Sequence, residues 1–403
     1  MIFFGTSRYF FLFILLAVVI GCSSAPKEST LKSSYENEQL LRFRWKKKLF
    51  SNVPNFQVPE FYEENDRFAP VETGSAAFDT DAKRIFAGAT VGGFYCMESY
   101  GGETIWRFDL DDPVGSRPYY DSARRSVYFG ADDGYLYRLH ARSGRLIWKT
   151  DTGAELRRDI QMVEDTLFVM NADNTVLAVD PEGGEIIWRY RRDPVGGFSS
   201  VGYADVRIAG NTALAGFSDG YVAALDAGTG VEKWVMDLAT DAVQDADADD
   251  VLLVDVDATP VVVDNTVVVA SLAGGVYGLD FASGSVRWIR SDITKVTGAA
   301  ASNGEVYLVR SGARGMIAMN PQNGQTILER GFGLGLKADP VVYDDDVLLV
   351  SDSEAGLYMV SGGTGRILNL LDMYGGFFAR PVEYAGYMLI MGNWSTLFSF
   401  AIN

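Results

Sequence analysis

The sequence predicts an all-β protein: an eight-bladed β-propeller of four-stranded antiparallel blades, its ring closed by the N-terminal strand. Three observations carry this. A glycine turn is followed four residues later by tryptophan at Gly102/Trp106, Gly144/Trp148, Gly184/Trp188, Gly230/Trp234 and Gly284/Trp288, with weaker copies at Gly324/Leu328 and Gly365/Asn369. The turn glycines stand 42, 40, 46, 54, 40 and 41 residues apart, and a period near forty with strand-like content marks a radial or stacked repeat. The chain also ends in half a repeat whose missing half stands near its beginning.

In chain order, residues 1–21 read as a lipoprotein signal peptide. Arg8 gives a thin positive start, and the apolar run Tyr9–Ile20 is too short for an ordinary membrane span. Val19-Ile20-Gly21-Cys22 then places small residues before a cysteine, which resembles a bacterial lipobox with Cys22 as the lipidated residue. Ser23 follows where Asp would favour inner-membrane retention, so the pattern implies the periplasmic face of an outer membrane. Residues 22–40 are polar and without strand alternation, and read as the lipidated cysteine and a flexible tether. The propeller is expected over 41–403.

Within the repeats, the positions five and seven before each turn glycine share one strand face. Met97, Leu139, Val179, Leu225, Leu279, Met319 and Val360 occupy the first; Tyr95, Tyr137, Leu177, Ala223, Tyr277, Ile317 and Tyr358 the second. Upstream runs such as Val127-Tyr-Phe and Val267-Val-Val supply another strand, separated by Asp/Gly turns. Each unit thus reads as four short strands, a propeller blade. Asp180, Asp226 and Asp280, with Asn320 and Ser361 later, stand four before the glycine. A short acceptor there builds the turn. The tryptophans are expected between adjacent blades. Cys96 sits in a slot that is Ala or Gly in four of its six other copies, so it reads as a small buried filler. With Cys22 lipidated, no intramolecular disulfide is available.

The ends set the blade count. Thr396-Leu-Phe-Ser-Phe-Ala matches the slots before a glycine turn, with Ser399 in the small slot, and the chain stops at Asn403. Leu41-Arg-Phe-Arg-Trp45-Lys-Lys-Lys-Leu resembles Leu146-Ile-Trp148-Lys-Thr and supplies the missing tryptophan strand. Pairing the two closes the ring as its eighth blade.

The formal charge of −18, or −19 after signal removal, excludes a nucleic-acid surface and argues against attraction of the whole chain to anionic membranes.

The repeats Gly134–Trp148, Gly220–Trp234 and Gly275–Trp288 resemble the PQQ-type propeller repeat of quinoproteins. With the lipobox, short tether and eight blades, residues 40–403 are similar to the BamB family of outer-membrane assembly lipoproteins. Leu253-Val-Asp255-Val-Asp257-Ala-Thr259-Pro260-Val resembles that family's DVDxTPVV stretch. The resemblance implies that Asp255 and Asp257 contact the periplasmic domain of a BamA-like barrel subunit. A second contact loop of the family has its counterpart in Gly197-Phe198-Ser-Ser-Val201-Gly-Tyr203, assigning Phe198, Val201 and Tyr203 as partner-binding. Val201 stands where the family has Arg, which implies an interface built differently in a distant member.

Catalysis is not expected. There is no Cys-Cys pair of the kind many PQQ-dependent dehydrogenases carry, and His140 is the only histidine. Neither a phosphate loop nor a nucleophile elbow is present, and no cofactor is implied. Asp245-x-Asp247-x-Asp249 resembles the start of a calcium loop, but Asp250 replaces the turn glycine and Val256 the bidentate Glu. It reads as a solvated acidic loop and not a metal site, with weak divalent binding as the alternative. A non-catalytic scaffold of the outer-membrane barrel-assembly machinery is therefore expected. Its acidic rim would attract a partner and its blade edges could take strands of unfolded outer-membrane proteins. A periplasmic ligand-binding or sensory propeller using the central funnel is the alternative.

Overall fold

A computed structural model of the chain describes residues 40–49, 72–79, 81, 83–90, 92–193, 204–239, 253–372, 376–393 and 395–402. Eight four-stranded antiparallel sheets form the blades of a propeller. Blade 1 runs Ala76–Phe78, Arg84–Gly88, Phe94–Glu98 and Thr104–Phe108. Blades 2 to 7 repeat this order. Their first strands are Tyr119–Asp121, Gln161–Val163, Arg207–Ala209, Val261–Val263, Val296–Ser302 and Val341–Tyr343, and these line the central channel.

Blade 8 is composite. Val382–Tyr384, Tyr387–Gly392 and Thr396–Ile402 are completed on the outside by Leu41–Lys48, which pairs antiparallel with Thr396–Ile402. Trp45 faces Ser399, as Trp106 faces Cys96 and Trp148 faces Arg138. Tying the two ends into one sheet leaves no blade unfinished.

The core is a set of seams. Alternate residues of one strand feed different clusters: Tyr95 and Met97 pack with Trp45, Leu389 and Leu397 of blade 8. Phe94 and Cys96 pack with Val127, Phe129 and Tyr137 of blade 2. The middle strands are therefore buried on both faces, which is why they read as unbroken apolar runs. Cys96 is fully buried, and burial pushes its thiol up to about 12.

The Gly-to-Trp repeat acts across these seams. A Cβ on Gly144 would lie 2.6 Å from the Trp106 ring, one on Gly284 2.6 Å from Trp234, and one on Gly102 2.9 Å from Trp45. Each tryptophan thus stacks on the turn of the next blade, not on its own. It also donates its indole N–H there: Trp106 to Ala141 O at 3.0 Å, Trp188 to Ala227 O at 2.9 Å, Trp45 to Ser99 O at 3.0 Å. The turn acceptors behave as expected. Gly183 N donates to Asp180 at 2.6 Å, and Ala282 N and Ser283 N donate to Asp280 at 3.1 and 3.0 Å.

Candidate functional site

Two places were candidates: the partner segments between blades and the central funnel. Cys22, Phe198, Val201, Tyr203 and the aspartates Asp245, Asp247 and Asp249 lie outside the described residues, as do the signal and all of the tether but residue 40. Asp255 and Asp257 are described, and both are buried, at 1% and 8% exposure. Their segment is stitched to the blades through its backbone. Val256 N donates to Phe217 O at 3.1 Å, and Leu272 N donates to Asp255 O at 2.9 Å. Val256 occupies the space that a side chain on Gly216 would fill, 2.3 Å from its Cβ.

The funnel is built from one equivalent residue per blade, two places before the inner-strand residue that pairs with Phe86 or its counterpart in that blade: Ser75, Arg117, Asp159, Asp205, Thr259, Gly298, Asp339 and Arg380. These side chains latch neighbouring blades. Asp159 N donates to Asp205 Oδ1 at 3.0 Å, and Asp205 N donates to Thr259 Oγ1 at 3.2 Å. Ala299 N donates to Asp339 Oδ1 at 2.8 Å, and Ser75 Oγ donates to Arg380 O at 2.9 Å. Thr259 Oγ1 also donates to Asp339 Oδ2 at 2.6 Å. Blade 6 carries Gly298 in this slot because a Cβ there would lie 2.6 Å from the Asp339 Cα.

Arg380 spans the channel. From blade 8 its Nη1 reaches Asp159 Oδ2 of blade 3 at 3.1 Å and Asp205 Oδ2 of blade 4 at 3.2 Å, while Arg117 pairs with Asp159 at 3.3 Å. Burial raises the Asp205 carboxyl to about 6, and the nearby Asp159 charge adds to this while Arg380 opposes it. Burial disfavours the Arg380 charge, but Asp159, Asp339 and Asp205 together hold it firmly protonated. Cavities of about 460 and 420 Å³ lie along the channel, and Arg207 and Arg380 border both. The larger is lined by Phe78, Tyr119, Tyr120, Met162 and Tyr384 beside Arg117.

Sequence reasoning missed this throat, although a signal was present. Arg117-Pro118, Thr259-Pro260, Asp339-Pro340 and Arg380-Pro381 place a polar residue before proline at the blade period. Among the described residues no group of three or more His, Cys, Asp or Glu side chains could hold a metal ion. No helix of the described residues is long and apolar enough to cross a membrane.

Fold and repeat together define an eight-bladed propeller of the PQQ-repeat class. Residues 92–330 and 282–371 match a PQQ-repeat family model described as outer membrane protein assembly factor BamB. The chain belongs to that family. It is 26% identical over 398 residues to outer membrane protein assembly factor BamB of Yersinia pestis, an alignment covering 96% of this chain and 97% of the relative. The crystal structure of BamB from Moraxella catarrhalis superposes with a TM-score of 0.68 at 18% identity, covering 90% of this chain and 99% of that one. The quinohemoprotein alcohol dehydrogenase from Comamonas testosteroni shares the fold with a TM-score of 0.62 at 14% identity, over 90% and 77% of the two chains.

Proposed function

We propose that this protein is a non-catalytic outer-membrane protein assembly factor. In this reading it is held at the periplasmic face of the outer membrane by lipid on Cys22 and docks on the periplasmic domain of a BamA-like barrel subunit. The observation that carries the reading is the match to a BamB relative along nearly the whole chain, 96% of it. The throat supports a structural rather than a chemical use of the channel, because its carboxylates are already engaged. Arg380 and Arg117 take Asp159 and Asp205, and Thr259 and a backbone amide take Asp339. A rigid ring presenting inter-blade loops suits recognition.

Affinity purification from native membranes tests this reading. Recovery of an outer-membrane barrel subunit is expected, and recovery of none in mass spectrometry would overturn it. The partner-binding assignment of Asp255 and Asp257 needs a matched control, since both side chains are buried. The isosteric pair Asp255→Asn with Asp257→Asn should reduce co-purification while leaving the melting curve within a few degrees. A reduction that tracks a loss of folding would remove the two aspartates from the interface. The 460 Å³ aromatic-lined cavity supports a second reading, a ligand-binding propeller. A small molecule retained in native mass spectrometry would favour it.

A further inference from the structure

The strand that closes the ring has a charge unlike its neighbours. Leu41–Lys48 carries Arg42, Arg44, Lys46, Lys47 and Lys48 and no acid, in a chain with formal charge −18. It is the outermost strand of blade 8, so these side chains stand on the rim of the propeller. Arg42, Lys46 and Lys48 are exposed, and Lys47 and Arg44 are half-buried.

Among the described residues, outer strands of other blades mix paired cations with single ones that make no ion pair (Lys149, Arg189 and Arg330), and none gathers five cations without an acid. Arg107 pairs with Asp109 at 3.0 Å, Arg191 with Asp173 at 2.9 Å, Lys233 with Asp226 at 3.6 Å, Arg287 with Asp280 at 2.6 Å and Arg290 with Asp292 at 2.7 Å. Arg44 lies over the Tyr387 and Tyr100 rings, 4.3 and 5.1 Å from their centroids. Arg42, Lys46 and Lys47 make no ion pair with a described residue. Lysines on an edge strand guard against edge-to-edge pairing, but charges of either sign would serve that purpose. Three cations on one strand with no ion pair among the described residues are more than edge protection requires.

We propose that this rim strand is a membrane-docking edge, with Arg42, Lys46 and Lys47 engaging the headgroups of anionic phospholipids at the bilayer surface. The proposal rests on the lipid-anchor reading for its geometry. Cys22 precedes Leu41 by 19 residues, a stretch that spans at most about 65 Å even fully extended. A chain anchored there keeps the strand within that reach of the bilayer. Juxtamembrane cations are attracted to anionic lipid within about a Debye length. The repulsion expected from the net charge acts on the rest of the ring, so lipid contact would select this edge and set the orientation of the disc.

The test uses the full mature chain carrying Cys22→Ser, so that no acyl chain contributes. It is mixed with sedimentable vesicles of phosphatidylcholine alone or with phosphatidylglycerol. Binding to the anionic vesicles only is expected, abolished at about 0.5 M NaCl, where screening is nearly complete. Each cation is worth roughly fivefold in partition, so losing all three weakens binding about 100-fold, and reversing them, as in R42E/K46E/K47E, weakens it further. This variant keeps the edge charged and therefore keeps its protection against pairing. The neutral R42Q/K46Q/K47Q provides a second folded comparison with a smaller loss. Equal binding to both vesicle types overturns the proposal. So does undiminished binding by either folded variant, or loss of an acidic protein partner in the variants with vesicle binding unchanged. Mass spectrometry of the N-terminal peptide from cell membranes reports separately on Cys22, so a failed anchor and a failed docking edge give different results.

Discussion

Replacing Arg380 by methionine removes the cation that spans the channel while roughly keeping its volume. Two contacts are lost, at 3.1 and 3.2 Å, to carboxylates whose side chains are 17% and 5% exposed. At an effective dielectric near 20 each contact is worth about 5 kcal/mol before desolvation is repaid. Breaking a buried pair from one side costs about 3–5 kcal/mol, and the partial exposure of Asp159 argues for the lower end. The loss should depend on pH. Asp205 has a folded pKa raised to about 6, so its contribution to stability is present below its unfolded pKa and is lost as pH rises through about 6. Removing Arg380 removes the charge that opposes this rise, so the carboxyl stays protonated to higher pH and is costlier once ionised. Urea unfolding should show a loss of about 3 kcal/mol at pH 8 that shrinks toward about 1 kcal/mol at pH 5. Arg380→Lys should fall between wild type and Arg380→Met at pH 8, because an ammonium does not present the planar fork of a guanidinium. A loss equal at both pH values, or below about 1 kcal/mol at pH 8, would refute the clamp.

The seam contact can be isolated with two glycines. Gly284 and Gly304 both have positive φ, 71° and 78°, but a Cβ at Gly284 meets Trp234 at 2.6 Å whereas one at Gly304 meets nothing within 4 Å. Ala at Gly304 should cost about 1 kcal/mol from backbone strain, and Ala at Gly284 about 1–3 kcal/mol more from overpacking, read by chemical denaturation. Glu72 is a further pH probe. It is fully buried and accepts hydrogen bonds from Thr90 and Ser395, and burial raises its carboxyl to about 7. Its contribution is present below its unfolded pKa and lost as pH rises through about 7, a swing on the order of 3 kcal/mol. Glu72→Gln should flatten the stability profile between pH 5 and pH 8; an unchanged slope would assign the dependence to other groups.

Residues whose role is set by the repeat are legible in the amino-acid sequence. Cys96 sits in a slot that is usually small because that residue faces a tryptophan across the ladder, as Ser399 faces Trp45. The aspartates before the glycine turns bind amides two or three residues on, which is a local interaction and so a local signal. The funnel was less legible. Arg380 lies 221 residues from Asp159 and 175 from Asp205, and no local pattern says that two blades face each other across a channel. Asp255 and Asp257 show the same limit. Their motif resembles a contact segment, while the structure places both side chains among the buried residues.

The sequence by itself determined the blade count, the closing strand and the seam residues, because each follows from hydrogen-bonding and side-chain periods of a few residues repeated about every forty. Only the tertiary structure decided which glycine meets which tryptophan, since Gly144 stacks on Trp106 of the preceding blade and not on Trp148 of its own repeat. Closing the ring also brought the eight throat residues into one latch around the channel. It placed five cations, those of Leu41–Lys48, on the outer edge of the last blade. The physical reason is common to all three. A propeller makes its decisive contacts between units, so a residue's partner is fixed by the angle at which blades are stacked rather than by its distance along the chain.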